Sequence, residues 1–181
     1  MVRWSPLLLA ALAAPVWGAD PADLQAEADR AEWKWADERA TVLDAVLHAS
    51  CDYEISLLRK KGAWGDLTIR FADKDRVALV IEGHVGTTFV TDGTVVYYAD
   101  YRLMSSGCAL VAFDLKARKQ LWKTALRGLG PIDHTKYYNR VRVELIPGAA
   151  VRVWGKESAG TYLEYVDLKT GKTIAHRKFE R

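Results

Sequence analysis

The sequence of 181 residues predicts a mainly β, antiparallel domain built from repeated sheets and preceded by one long N-terminal α-helix. Over much of residues 51–181, apolar and polar residues alternate, which is the period of a strand with one buried face. In addition, the sequence pattern of residues 94–126 is repeated in weaker form at 148–179. Such a repeat predicts sheets that bury their faces against one another. The sheets would form an open stack or a small barrel. Corresponding residues lie 53 positions apart, in the pairs Asp114 and Asp167, Leu115 and Leu168, and Lys119 and Lys172.

Residues 1–18 have the pattern of a secretory signal peptide. Arg3 supplies a positive charge, residues 7–14 form a short apolar run, and Gly18 stands at the expected cleavage position. No later stretch approaches roughly 18 uninterrupted apolar residues, so no transmembrane segment is predicted. We therefore expect an exported protein, either periplasmic or extracellular.

Residues 19–50 predict an acidic amphipathic helix that extends to about His48. Asp20 can cap its first turn, Pro21 suits the first helical position, and Asp23 interacts favourably with the exposed N–H groups there. This helix either covers its own domain or docks on another copy or another protein. Small and apolar residues recur along it at helical spacing: Leu24, Ala28, Ala31, Trp35, Val42 and Ala45.

Residues 51–181 predict an all-β repeat domain of about ten or eleven strands. The segment 108–115, CALVAFDL, is apolar on both faces and therefore predicts a central strand. Strands with one buried face are predicted at 66–71, 76–82 and 140–145. Turn sequences separate the strands, at 73–75, 92–93, 147–148 and 170–171.

Two segments of the repeat resemble a known family. FDLKARKQLW, at 113–122, and VDLKTGKTI, at 166–174, are similar to the repeat of quinoprotein-type (PQQ-like) β-propellers. Asp114 and Asp167 match the turn aspartate of that repeat, and Trp122 matches the tryptophan that fills the seam between its sheets. The resemblance implies propeller-like antiparallel sheets.

The sequence departs from that pattern at several positions. The resemblance therefore implies a similar scaffold and not a dehydrogenase activity. Ala117 and Arg118 replace Thr-Gly in the first copy, and Ala175 replaces Trp in the second. Closed propellers have roughly four to eight sheets, and the chain holds material for fewer than three. We therefore expect an open stack or small barrel rather than a ring completed by association. No quinone-binding or metal-ligand set carries over, so we predict neither cofactor nor metal.

The two cysteines, Cys51 and Cys108, leave two alternatives open. In an oxidising compartment they can form a disulfide that closes a long loop. Otherwise they are two buried reduced thiols, since both lie in apolar, strand-like surroundings.

Charge divides the chain into an acidic N-terminal segment and a basic body. Residues 19–50 carry eight acids against three bases, although the formal net charge of the whole chain is +3. A basic body can attract anionic polymers, whereas export makes nucleic acid an unsuitable partner.

The best candidate site is the stretch 127–140, which has about 14 residues without a strand pattern and is long for a compact β domain. Aromatic faces beside cationic donors suit the binding of a sugar or an anionic glycan. His84 joins the candidates because glycines flank it at the end of a predicted strand. The candidate binding residues are His84, His134, Lys136, Tyr137, Tyr138 and Arg140.

No catalytic motif stands out, so the leading prediction is a non-enzymatic exported binding or scaffold module for a glycan or another envelope protein. One alternative is a small hydrolase or lyase that uses His84 and His134 with Asp100 or Asp133. Another is an assembly component that docks through its N-terminal helix.

If the 127–140 stretch binds the ligand, the double substitution of Tyr137 and Tyr138 by Ala abolishes ligand capture and leaves the fold nearly intact. Adjacent side chains of an extended segment point to opposite sides, so one Tyr contacts ligand and its neighbour anchors the loop. In melting and binding measurements, one single variant then loses binding and the other loses stability. Equal, small effects of both would make the stretch a simple connector.

Overall fold

The computed structural model describes residues 20–32, 45–49, 53–61, 64–71, 77–85, 89–102, 105–130, 140–157 and 160–179. The predicted signal peptide, at 1–18, lies outside these ranges. The described part contains one helix, α1 (Pro21–Arg30), and twelve strands. The strands are β1 (Ala45–Ala49), β2 (Tyr53–Lys61), β3 (Trp64–Phe71), β4 (Val77–Val85), β5 (Phe89–Thr91), β6 (Val95–Asp100), β7 (Ala109–Asp114), β8 (Lys119–Ala125), β9 (Arg140–Ile146), β10 (Ala150–Glu157), β11 (Gly160–Asp167) and β12 (Thr173–Phe179).

The strands form three antiparallel sheets of four strands each, and in each sheet the strands lie in chain order. The first sheet contains β1–β4, the second contains β5–β8, and the third contains β9–β12. Neighbouring strands are therefore consecutive in the chain, so every sheet is a local meander. The prediction of a mainly β antiparallel fold is confirmed, with three whole sheets where the sequence suggested fewer.

The second sheet lies between the other two, so both faces of its central strands β6 and β7 are buried. Along β6, Tyr97 and Ala99 pack with the third sheet, whereas Val96 and Tyr98 pack with the first. The same alternation holds along β7, which confirms the central strand predicted at 108–115. The three sheets are stacked face against face and do not close into a barrel. The open stack is therefore correct and the small barrel is wrong.

The repeated turns have the same geometry in both copies. The carboxylate of Asp114 accepts a hydrogen bond from the Ala117 N–H at 2.6 Å, and that of Asp167 accepts one from the Thr170 N–H at 2.7 Å. Gly171 takes φ +67°, and Arg118, 53 positions earlier, takes φ +55°. The local strand–turn–strand repeat is thus present. Turns of this kind occur in many hairpins, so the quinoprotein-type resemblance stays a prediction.

Trp122 joins the second sheet to the third. Its indole N–H donates to the Leu168 carbonyl at 3.1 Å, and its ring lies 5.9 Å from that of Tyr97. A Cβ on Gly171 would come within 2.7 Å of the indole, so only glycine fits beneath it. Trp122 is half-buried rather than fully buried, but it occupies the seam predicted for it.

The helix covers the outer face of the third sheet. Leu24 and Ala28 are buried against residues of β10–β12, which include Leu163 and Tyr165. Asp20 caps the first turn by accepting from the Ala22 N–H at 2.8 Å, as predicted. Of the two interpretations of this helix, its described part fits a helix that covers its own domain.

The predicted helix to about His48 is wrong, because α1 ends at Arg30 and residues 45–49 form β1. Ala31 has extended backbone angles, and the Arg177 guanidinium donates to the carbonyls of Ala28 and Ala31. These bonds satisfy the last carbonyls in place of a further helical turn. The five residues 45–49 are too few to distinguish the period of a helix from that of a strand. Their pairing with β2 makes them a strand.

Replacing Trp122 by Ala should destabilise the protein by about 3 kcal/mol, because it removes a large aromatic group and leaves a void between two sheets. Chemical denaturation measures this change in the free energy of unfolding. The control is Leu121→Ala on the same strand, where the side chain is 46% exposed and should cost far less. Similar losses for both variants would contradict the role of Trp122 at the seam.

Candidate ligand-binding site

A short segment, residues 126–130, crosses one end of the second and third sheets. The Leu126 N–H donates to the Cys108 carbonyl at 2.9 Å, and the Cys108 N–H donates to the Leu129 carbonyl at 3.2 Å. Leu126 and Leu129 are buried in the core between these two sheets. The segment is therefore tied to the start of β7 and forms the first part of the 127–140 stretch predicted as the site.

Two carboxylates of the third sheet fasten this segment. Glu164 on β11 accepts from the Gly128 N–H at 2.9 Å, and Glu157 on β10 accepts from the Gly130 N–H at 3.1 Å. A Cβ on Gly128 would lie 2.3 Å from the ring of Tyr162. Glycine is thus required at 128, because the backbone passes directly under an aromatic ring.

A cleft of about 710 Å³ opens on one side of the 126–130 segment. The end of β6, residues 105–109 and the segment itself form its walls. Among the described residues, four charged side chains line it: Asp100, Arg102, Lys123 and Arg127. Three of these four are cations, so the described lining has an excess of positive charge.

Asp100 organises these cations. Its side chain is 8% exposed, and its oxygens lie 2.5 Å from Arg102 Nε and 2.8 Å from Lys123 Nζ. Burial by itself raises the pKa of Asp100, but the hydrogen bonds from Arg102 and Lys123 outweigh it and leave the pKa below its usual value. The carboxylate stays ionised and holds both cations, each about half exposed, at the rim of the cleft.

Cys108 also lines the cleft, where it is buried and forms no disulfide with another described residue. Burial raises the pKa of this thiol well above its usual value, and the negative charges of Asp100 and Glu164 raise it further. Cys108 is therefore a protonated, poorly nucleophilic group. Cys51 lies outside the described residues, so the predicted pairing of the two cysteines stays a prediction.

On the other side of the segment lies a smaller cavity of about 180 Å³. Four of its lining residues form two directly opposed pairs on one face of the β11–β12 ladder, where Tyr162 lies opposite Lys178 and Glu164 lies opposite His176. Arg127 lines this cavity as well as the cleft. The two cavities therefore share one wall.

Glu164 is the unusual residue of the smaller cavity. It is 4% exposed, and its Oε2 has no hydrogen-bond partner within the part of the chain that the structure describes. Burial raises the pKa of Glu164, and the N–H groups of Gly128 and Arg127 offset only part of this effect. A buried carboxyl whose second oxygen is unpaired lowers stability and marks a candidate for binding.

Only part of the predicted site lies in the described structure. Arg140 is the first residue of β9 and is half-buried. His84 lies in β4, where its backbone pairs with Gly65 of β3. The predicted residues His134, Lys136, Tyr137 and Tyr138 lie outside the described ranges, as does Asp133 of the hydrolase alternative.

Sequence reasoning missed Lys123 and Glu164 as site residues. Lys123 stands in an ordinary alternating strand, and only the fold brings it beside Asp100. Glu164 had a signal that could have been used, because it interrupts the otherwise apolar run of residues 162–166. From the sequence, Asp100 was a candidate only as the partner of a catalytic histidine, whereas in the structure it binds the side chains of Arg102 and Lys123.

Comparison with models of known protein families and with curated protein sequences finds no match for this chain. In the described ranges, no helix is long and apolar enough to cross a membrane. The same residues contain no cluster of three or more His, Cys, Asp or Glu side chains that could hold a metal ion.

The buried carboxyl groups of Asp100 and Glu164 should affect the pH dependence of stability in opposite directions. The lowered pKa of Asp100 stabilises the fold above about pH 4, the range of an unfolded Asp, and this contribution is lost as pH falls through the folded pKa. The raised pKa of Glu164 stabilises the fold only at low pH, and this contribution is lost as pH rises through the folded pKa. Asp100→Asn should therefore destabilise at neutral pH, and Glu164→Gln should stabilise.

Unfolding curves recorded between pH 3 and pH 8 measure both effects. The deficit of Asp100→Asn should shrink below about pH 4, and the gain of Glu164→Gln should shrink on acidification too. A Glu164→Gln protein that is less stable than the wild type at pH 8 would refute this account of Glu164.

Proposed function

We propose that this chain is an exported, non-enzymatic binding module whose cleft binds an acidic glycan. The main support for this proposal is the positive charge of the residues that line the cleft. Among the described residues that line this cleft of about 710 Å³, the cations Arg102, Lys123 and Arg127 outnumber the carboxylate Asp100, which binds the first two. This volume is within the range of roughly 300–1,000 Å³ that is usual for ligand sites.

The rigidity of the cleft walls supports binding without large rearrangement. Asp100 holds Arg102 through two hydrogen bonds and Lys123 through one, so both cations are oriented before a ligand arrives. Pre-oriented donors lose less conformational entropy on binding. The cations still expose about half of their side chains and can donate to carboxylate or sulfate groups of a sugar.

The sequence supports export and the class of ligand. The signal-peptide pattern at 1–18 favours a place outside the cytoplasm, where acidic polysaccharides are abundant partners. The 127–140 stretch, rich in aromatic and cationic residues, begins at the wall that the cleft shares with the smaller cavity. An acidic surface of another envelope protein is the competing ligand, and the binding experiment distinguishes it from a glycan.

Calorimetric titration with oligogalacturonate, a sugar polymer that carries carboxylates, tests the proposal. Lys123→Gln should lower the affinity roughly tenfold, because one charge-assisted hydrogen bond is lost. The affinity of the wild type should also fall as salt is raised.

The matched control is Lys119→Gln, which removes the same charge from an exposed position of the same strand, away from the cleft. Lys119→Gln should bind like the wild type. Equal losses for both variants would indicate unspecific attraction by the basic body, and no binding of the oligosaccharide would refute the glycan ligand.

A further inference from the structure

We propose that the smaller cavity beside the cleft takes a neutral amide group of the bound ligand, whose N–H donates to Oε2 of Glu164. This inference rests on the proposed function, because the same ligand places its acidic group in the cleft. It adds a second recognition element, an amide next to an acid.

The unpaired oxygen of Glu164 is the first reason. One oxygen of this carboxyl is bound to the Gly128 N–H at 2.9 Å, and the other has no partner among the described residues. Glu164 is 4% exposed and lines the cavity. Buried acceptors without a donor are rare in folded proteins because they destabilise them, and a ligand can supply the missing donor.

The surrounding charges decide which donor fits. Arg127, Arg177 and Lys178 also line the cavity, so an ammonium group would meet cationic neighbours. A neutral N–H avoids that repulsion and still donates to the carboxyl oxygen. An amide also carries a carbonyl, which can accept from the Lys178 ammonium or the Arg127 guanidinium.

The size of the cavity fits a substituent rather than a whole ligand. Its volume of about 180 Å³ is below the roughly 300–1,000 Å³ of sites that hold complete small molecules. The ring of Tyr162 supplies an apolar wall for a methyl or methylene group beside the amide.

Arg127 connects the two recognition elements, because it lines both the cleft and the smaller cavity. A ligand that binds both must carry an acidic group and an amide a short distance apart. Two sources have this chemistry: an acidic glycan that contains N-acetylated sugars, and an acidic peptide.

Three probes separate these sources in calorimetric titrations of the mature protein. Hyaluronan hexasaccharide carries glucuronate and N-acetylated sugar, oligogalacturonate of matched charge carries carboxylates without an amide, and an acetylated acidic dipeptide amide carries both groups on a peptide. Hyaluronan should bind at least about tenfold more tightly than oligogalacturonate. Glu164→Gln should remove this difference, because its amide nitrogen presents a donor to the ligand N–H where the carboxylate presented an acceptor.

The matched control is Glu157→Gln. Glu157 fastens the same 126–130 segment, but both of its oxygens have partners, the Gly130 N–H and the Tyr162 hydroxyl. This variant should keep the preference for hyaluronan. A second variant, Lys178→Gln, changes an exposed side chain and should weaken hyaluronan severalfold more than oligogalacturonate.

Each outcome decides between the two proposals. Equal affinity for both glycans, with both dependent on Lys123, would overturn the amide site and leave the acidic-glycan function standing. Binding of the dipeptide alone, lost in Glu164→Gln, would support the amide site and refute the glycan ligand. Binding of none of the probes, or equal loss of the preference in Glu157→Gln and Glu164→Gln, would overturn the amide site.

Discussion

Burial of both faces of β6 and β7, the central strands of the second sheet, is the constraint on which the rest of the structure depends. Alternate residues of β6 and β7 pack against the first and the third sheet, so neither neighbour can be removed without exposing a continuous apolar surface. A sheet that is buried on both faces has only its strand ends and edges available to solvent. The cleft lies at such an end, where β6 and β8 contribute Asp100 and Lys123.

The contact between the second and third sheets differs from the contact that covers the outer face of the third sheet. Trp122 joins the second sheet to the third through a hydrogen bond to a turn carbonyl. The outer face of the third sheet has α1 in place of a further sheet, and Gln25 of that helix bonds both the N–H and the carbonyl of His176 on the edge strand β12. The helix therefore covers a face of the stack and satisfies the backbone groups of one residue on its edge strand.

The two buried carboxylates show how the same residue type can have opposite energetic roles. Asp100 is surrounded by donors, so its charge stabilises the fold and positions two cations. Glu164 has backbone donors at one oxygen, whereas its Oε2 has no partner among the described residues, so its charge is unfavourable at a similar depth. Proteins retain such unfavourable groups chiefly where they serve binding or catalysis, which is why Glu164 and not Asp100 points to a second recognition element.

The sequence by itself determined most of the strands, the turns that the structure describes and the start of the helix. These depend on local periodicity and on residues such as Asp20, Asp114 and Asp167 that bond their own backbone neighbours. It also predicted the central strand at 108–115, since a strand apolar on both faces must be buried on both. The end of α1 was decided by Arg177, which is distant in the chain, and the strand at 45–49 by pairing with β2. Likewise Asp100 and Lys123 meet because β6 and β8 flank β7 in the second sheet. Gly128 and Glu164 meet because the 126–130 segment passes over the third sheet. Contacts between residues far apart in sequence leave no local pattern, so only the tertiary structure could bring the candidate site together.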